Sequence, residues 1–177
     1  PQGPGPGRTL SGGPRLASRH AYTSWAEDQI LLAVHRARER LRPAHVTVGT
    51  GQIDLSFNRR LVREDGTVEM IWGRADQFPP AALGPTDPEI GVVRLDDLNG
   101  HPLAILFNYA CHAVVLGNQN RFLTGDFPGY AMDYVEQEMD GVMALFLQGA
   151  AGDLDPYVDT QSSFAPAQRQ GYSLGQE

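Results

Sequence analysis

Leu103-Ala104-Ile105-Leu106-Phe107-Asn108-Tyr109-Ala110-Cys111-His112 is the stretch on which the fold turns. From Leu103 to Tyr109 it is apolar at alternate and intervening positions alike, which predicts a strand buried on both faces, central in a covered sheet. Ahead of it, Val92 to Leu95 reads as a short strand. Asp96 to His101, with its Asn99-Gly100 pair, reads as the turn between the two. Behind it, Asp126 has the character of an N-cap, and Pro128 sits just inside a helix that continues to about Met139. Gly141 ends that helix, and Val142 to Leu147 forms another buried strand. Apolar strands alternating with a helix predict an α/β fold: a mixed β-sheet flanked by helices, part of a larger catalytic domain.

Upstream, Ser24 and Glu27 fit a capping box that opens a helix. Ile30, Val34, Ala37 and Leu41 then share one helical face, arginines crowd the last turns, and Pro43 stops the helix. Val46 and Val48 alternate, Gly49-Thr50-Gly51 turns, and Ile53, Leu55 and Phe57 alternate again, which predicts a hairpin. The proline-rich run from about Arg74 to Pro88 reads as an irregular connection. Residues 1–22 are expected to be a flexible lead-in, 23–160 the domain proper and 161–177 an irregular tail.

Composition narrows the function. The 177 residues carry a net charge of −7, which disfavours nucleic acid as a partner, because phosphates reward a basic face. Every basic residue is arginine, so Schiff-base and P-loop chemistry, which need lysine, are excluded. One cysteine excludes a disulfide framework. The longest apolar stretch, Leu103 to Gly117, is interrupted by Asn108 and His112 and falls short of the roughly 20 residues a membrane span needs. The chain begins with Pro1 rather than methionine, so both ends are expected to be cut from a longer protein.

Two places can carry chemistry. Ends of central strands are where crevices open in α/β sheets, and His112 stands at such an end. There it is either a metal ligand or general base, or a hydrogen-bonded core histidine; Cys111 beside it reads as packing. The second place is Gly152-Asp153-Leu154-Asp155-Pro156, where Asp153 and Asp155 would hold a cation or orient a base, or Asp153 would cap a turn. Between them, Asn120 and Arg121 lie in a polar loop leading to Asp126, and Arg121 would meet a substrate group or pair with Asp126. His20, His45 and His101 have no partner at ligand spacing, and His35, beside the apolar helix stripe, reads as a partly exposed surface histidine. The HExxH, CxxC and P-loop patterns are all missing from the sequence.

Taken in order, Asn108-Tyr109-Ala110-Cys111-His112, Asn120-Arg121 with Thr124-Gly125-Asp126-Phe127-Pro128-Gly129, and Leu147-Gln148-Gly149-Ala150-Ala151-Gly152-Asp153-Leu154-Asp155-Pro156 resemble the neutral/alkaline non-lysosomal ceramidase family. The likeness is to its N-terminal catalytic domain, and Arg42-Pro43-Ala44, Asn58-Arg59-Arg60 and Asp87-Pro88-Glu89-Ile90-Gly91-Val92 also fit it. The resemblance implies zinc-dependent hydrolysis of an N-acyl amide, ceramide or a related small-molecule amide or lipid, by metal-activated water. It makes His112 one of the zinc ligands and leaves Asn120, Arg121, Asp126, Asp153 and Asp155 as substrate-pocket candidates. The family's His-x-His segment would precede Pro1 and its glutamate and tyrosine ligands would follow Glu177, so the isolated chain is expected to be inactive. Asp155 stands where some animal members have a serine, which disfavours an acyl-serine route. Likeness to the larger members would imply secretion or an outer-face location. Two other readings are a non-catalytic scaffold that has lost the metal site, and a different metal hydrolase built on Asp153, Asp155 and His112.

Overall fold

The computed structural model describes residues 19–71 and 84–177, and the chain falls into two compact units, 1–42 and 43–177. In the first, α1 spans Arg19–Glu39. It begins before Ser24, so Ser24 and Glu27 lie inside the helix rather than capping it, since no proline or glycine interrupts the residues ahead of them. The helix ends short of Pro43, as expected, and Ile30, Val34 and Leu41 of the apolar stripe are exposed. Residues 1–18 of the expected lead-in lie outside the described residues, and 19–22 are helical.

The second unit is built on a four-stranded mixed sheet. Its strands are β1 (His45–Gln52), β5 (Glu89–Asp96), β6 (Pro102–Tyr109) and β7 (Met143–Gln148), in the spatial order β1-β5-β6-β7. β5 and β6 form an antiparallel hairpin across the predicted turn. Asp97 Oδ1 there accepts the backbone N–H groups of Asn99 and His101, and Gly100 takes a φ of +85°. β6 and β7 are parallel, joined by a crossover through α2 (Asp126–Glu138). The predicted hairpin at Gly49-Thr50-Gly51 does not form. Both glycines stay extended inside β1, opposite Val92 and Ile90 of β5. Ile53 and Leu55 follow β1, and Phe57 belongs to β2 (Ser56–Asn58), which pairs with β8 (Leu154–Pro156) in a separate ribbon. A further ribbon joins β3 (Arg60–Val62) to β4 (Val68–Met70). Most of the proline-rich connection, 72–83, lies outside the described residues.

Residues 161–177 are not an irregular tail: they hold α3 (Phe164–Gln176), whose N-cap Ser163 accepts the N–H of Ala165. α3 packs on α2, and both helices close over one sheet face. There Ile90, Phe107, Tyr109 and Ala144 of the sheet form one core with Phe127, Ala131, Ala167 and Leu174 of the helices. Phe146 meets Phe107 and Phe127 edge-on, with ring centroids 5.6 and 6.1 Å away. The expectation of a strand covered on both sides holds for one face. On the other, Val46 and Val48 of β1 and Met143, Leu145 and Leu147 of β7 are exposed.

Candidate functional site

The parallel pair β6 and β7 ends on the same side of the sheet, and the two loops that follow are stitched together there. Gly149 donates its N–H to the Tyr109 carbonyl at 2.9 Å. A β-carbon at Gly149 would stand 2.9 Å from the Ala110 Cα, so only glycine permits this approach. Gln148 Nε2 donates to the Cys111 carbonyl, and the His112 N–H donates to the Leu154 carbonyl at 2.9 Å. The strand carrying His112 is thus held at its end by the segment carrying Asp153 and Asp155.

Pairing of β2 with β8 then brings in a residue that sequence reasoning did not propose for the site. Arg59 follows β2, and its backbone is fixed on both sides: its N–H donates to Asp153 and its carbonyl accepts from Ile71, each at 2.8 Å. Its guanidinium reaches Nε2 of His112 at 2.9 Å, donates to the Gly152 carbonyl at 2.9 Å and pairs with Asp155 across 3.3 Å. Asp155 is fully buried, Arg59 nearly so and His112 half-buried. Burial pushes the Asp155 carboxyl above the ordinary carboxylate value, the charges of Arg59 and His112 opposing that rise and Asp159 adding to it. Its traces in the sequence were an arginine directly after an apolar strand and the Asn58-Arg59-Arg60 triplet that fits the family resemblance.

The remaining candidates separate. Asp153 does not share the Asp155 cluster. It accepts from Asn58 Nδ2 at 3.1 Å and faces Arg60 at 3.7 Å, in a half-exposed position. Asn58 in turn donates to the Pro85 carbonyl and accepts from the Arg60 N–H. Asp126 is buried and does not pair with Arg121. Its carboxylate accepts the backbone N–H groups of Val115, Leu116 and Phe127. These bonds pin the loop that starts at His112 to the start of α2. Asp126 is the first residue of that helix rather than its N-cap, which is Gly125, and takes a φ of +52°. Arg121 is exposed, and Asn120 closes a local turn by accepting from the Phe122 N–H and donating to its carbonyl.

Cys111 is fully buried, and burial first, then the Asp155 and Asp126 charges, drive its thiol far above the usual range. That is the packing role its neighbours predicted. Tyr109 is equally buried; its hydroxyl accepts from the Leu55 N–H and donates to the Ile53 carbonyl, tying that segment to β6.

Residues 18–169 match the family described as "Neutral/alkaline non-lysosomal ceramidase, N-terminal". The chain belongs to the neutral/alkaline non-lysosomal ceramidase family. It is similar to neutral ceramidase B of Dictyostelium discoideum, 27% identical over 136 residues, covering 72% of this chain and 18% of that protein. It also resembles the neutral ceramidase of Pseudomonas aeruginosa, 26% identical over 143 residues, covering 78% of this chain and 20% of the relative. The crystal structure of the Pseudomonas aeruginosa neutral ceramidase superposes with a TM-score of 0.65 at 22% identity, over 91% of this chain and 26% of that one. This ceramidase-family chain therefore spans about a fifth of the length of the curated relatives it matches.

The family resemblance implied zinc, and the donor set can be tested against that. Among the described residues, no group of three or more His, Cys, Asp or Glu side chains stands close enough to share an ion. The Nε2 atom of His112 already accepts from a guanidinium, so a metal at that atom and this hydrogen bond exclude one another. These residues by themselves do not fit a zinc site.

Proposed function

We propose that this chain is the core of an amide hydrolase that cleaves an N-acyl amide bond, releasing a fatty acid and an amine, with ceramide or a related lipid amide as substrate. One observation carries the reading. In a chain of this family, β6, β7 and β8 converge on a half-buried His112 and a buried Arg59, at the end of the sheet where α/β folds place their ligands. Arg59 is a fixed donor beside an imidazole. That pairing suits a neutral amide, whose carbonyl oxygen gains charge as water attacks and would draw a positioned N–H. The name of the Pseudomonas aeruginosa relative supports ceramide as the first substrate to try. Zinc enters as part of the proposal: His112 would exchange its Arg59 hydrogen bond for the metal, and the other ligands would come from segments of the parent protein outside these residues.

The test is to assay the full-length parent protein on an N-acyl sphingosine and on a short N-acyl amide, with its metal content measured. Hydrolysis that His112→Ala lowers by at least about 100-fold, with loss of bound zinc, supports the reading. No hydrolysis of either substrate, or a fully active His112→Ala variant, overturns it.

A further inference from the structure

We infer that a cavity on the helix-covered face of the sheet is a binding site for a long-chain primary amine, its alkyl chain inside and its ammonium head at the mouth. The cavity has a volume of about 360 Å³, within the range of small-molecule pockets. Ile90 and Val92 of β5, Ile105 and Phe107 of β6, Val135 of α2 and Leu174 of α3 form its apolar walls. Arg59, His112, Asp153 and Asp155 do not line it, so it is distinct from the site described above.

The sequence opens this space from β1. Gly49 and Gly51 stand opposite Val92 and Ile90, and residues directly opposite in an antiparallel pair share a face. Neither glycine puts a side chain beside those two walls. A β-carbon at Gly49 would meet no atom within 4 Å. The glycine pair that imitates a turn in the sequence thus leaves the edge of a covered face unfilled.

The walls admit a chain, and the mouth selects its head. Glu138 and Glu177 line the cavity and are exposed. No arginine lines it, and among the described residues neither glutamate forms an ion pair. α2 ends here in Glu136-Gln137-Glu138, with no basic residue in its last turn. The C-terminal end of a helix carries partial negative charge and favours a cation, so an acidic last turn is the reverse of what the dipole rewards. An ammonium head at the mouth would offset both the helix end and the Glu138 carboxylate. A fatty acid would meet like charge from both. An unbranched chain with a cationic head is the chemistry that fits walls and mouth together.

The inference goes beyond the amide-hydrolase reading and does not depend on it, although cleavage of a lipid amide would release an amine of this class. The experiment titrates decylammonium chloride, below its micelle concentration, into the 177-residue chain labelled with ¹³C at the isoleucine δ1 methyls. Ile90 and Ile105 report the cavity, and Ile71, whose N–H donates to the Arg59 carbonyl, reports the other site. Saturable shifts at Ile90 and Ile105 with Ile71 unmoved are expected. Octylammonium should bind about fifteenfold more weakly, because two fewer methylenes are buried. Decanoate should bind about tenfold more weakly, for want of the favourable charge at the mouth. Glu138→Gln, on the surface, should narrow the gap between amine and carboxylate. Gly49→Leu, for which the strand has room, should abolish binding by filling the open edge. The inference is overturned by the absence of a saturable shift, by shifts confined to Ile71, by decanoate binding as tightly as decylammonium, or by a Gly49→Leu chain that binds as the wild type does. The same titration on the full-length parent protein must also move Ile90 and Ile105, and their silence there overturns it. A parent protein that binds the amine in this way yet hydrolyses no amide would sink the functional reading and leave this one standing.

Discussion

Leu116 donates its backbone N–H to the carboxylate of Asp126 at 2.8 Å, and this one acid also takes the N–H groups of Val115 and Phe127. The loop opened by His112, held to β8 through Leu154, is therefore also anchored to the first residue of α2. Asp126 adopts a left-handed φ of +52° to do so, a conformation that costs a non-glycine residue energy and persists only where its surroundings impose it.

Removing that carboxylate strands several buried N–H groups at once. Asp126→Ala is expected to destabilise the chain by about 3 kcal/mol or more, since each unsatisfied buried donor costs roughly 1–3 kcal/mol. Urea denaturation followed by circular dichroism checks this. A loss below about 1 kcal/mol would mean that water replaces the carboxylate and the loop is not anchored here.

How much of this was legible in the sequence depended on how local each signal was. β6 and β7 could be read because their apolar runs are unbroken, and the β5–β6 turn because Asp97, Asn99 and Gly100 carry its chemistry within a few residues. Gly49 and Gly51 misled, because a glycine in an extended strand looks like a turn until its partner strand is known. α3 was hidden because glycine weakens a helical pattern in sequence, whereas Gly171 and Gly175 are where α3 touches α2. Of the site, His112 was visible as a polar residue ending a buried strand. Arg59 was not, because the histidine it touches is 53 residues away and only the β2–β8 pairing joins them.

The helix contact makes the next prediction. A β-carbon at Gly171 would sit 2.4 Å from the Phe127 carbonyl oxygen and 2.5 Å from the Tyr130 Cβ; one at Gly175 would sit 2.8 Å from the Ala131 carbonyl oxygen. Gly171→Ala is expected to push α3 off α2 and cost about 1–3 kcal/mol, despite the better helix propensity of alanine. Gly129, in α2, has open space around it, so Gly129→Ala should instead stabilise by about 0.5–1 kcal/mol. Thermal melts of the two variants should move in opposite directions. A Gly171→Ala protein that melts at or above the wild-type temperature would refute the close packing.

Cys111 should be chemically silent. The thiol is fully buried and held neutral by its surroundings, so little thiolate is present to react. The folded chain is expected to resist iodoacetamide at mildly alkaline pH and to take up one equivalent once unfolded in guanidinium, as read by mass spectrometry. Rapid modification of the native chain would contradict both the burial and the packing role.

The last prediction concerns pH and the buried pair. Burial raises the Asp155 carboxyl above its ordinary value of 3.8 even with Arg59 alongside. A carboxyl whose folded-state value is raised binds its proton more readily in the folded chain than in the unfolded one. Its contribution to stability is therefore fullest below the unfolded value and is lost as pH rises through the folded one. Asp155→Asn cannot titrate, so the stability of the wild type relative to this variant should fall as pH is raised from below 3.8 toward neutrality. Denaturation curves collected across that range measure the difference directly. A relative stability that climbs with pH would show that the ion pair outweighs desolvation. If it falls, the ionised carboxylate is retained at a cost to stability.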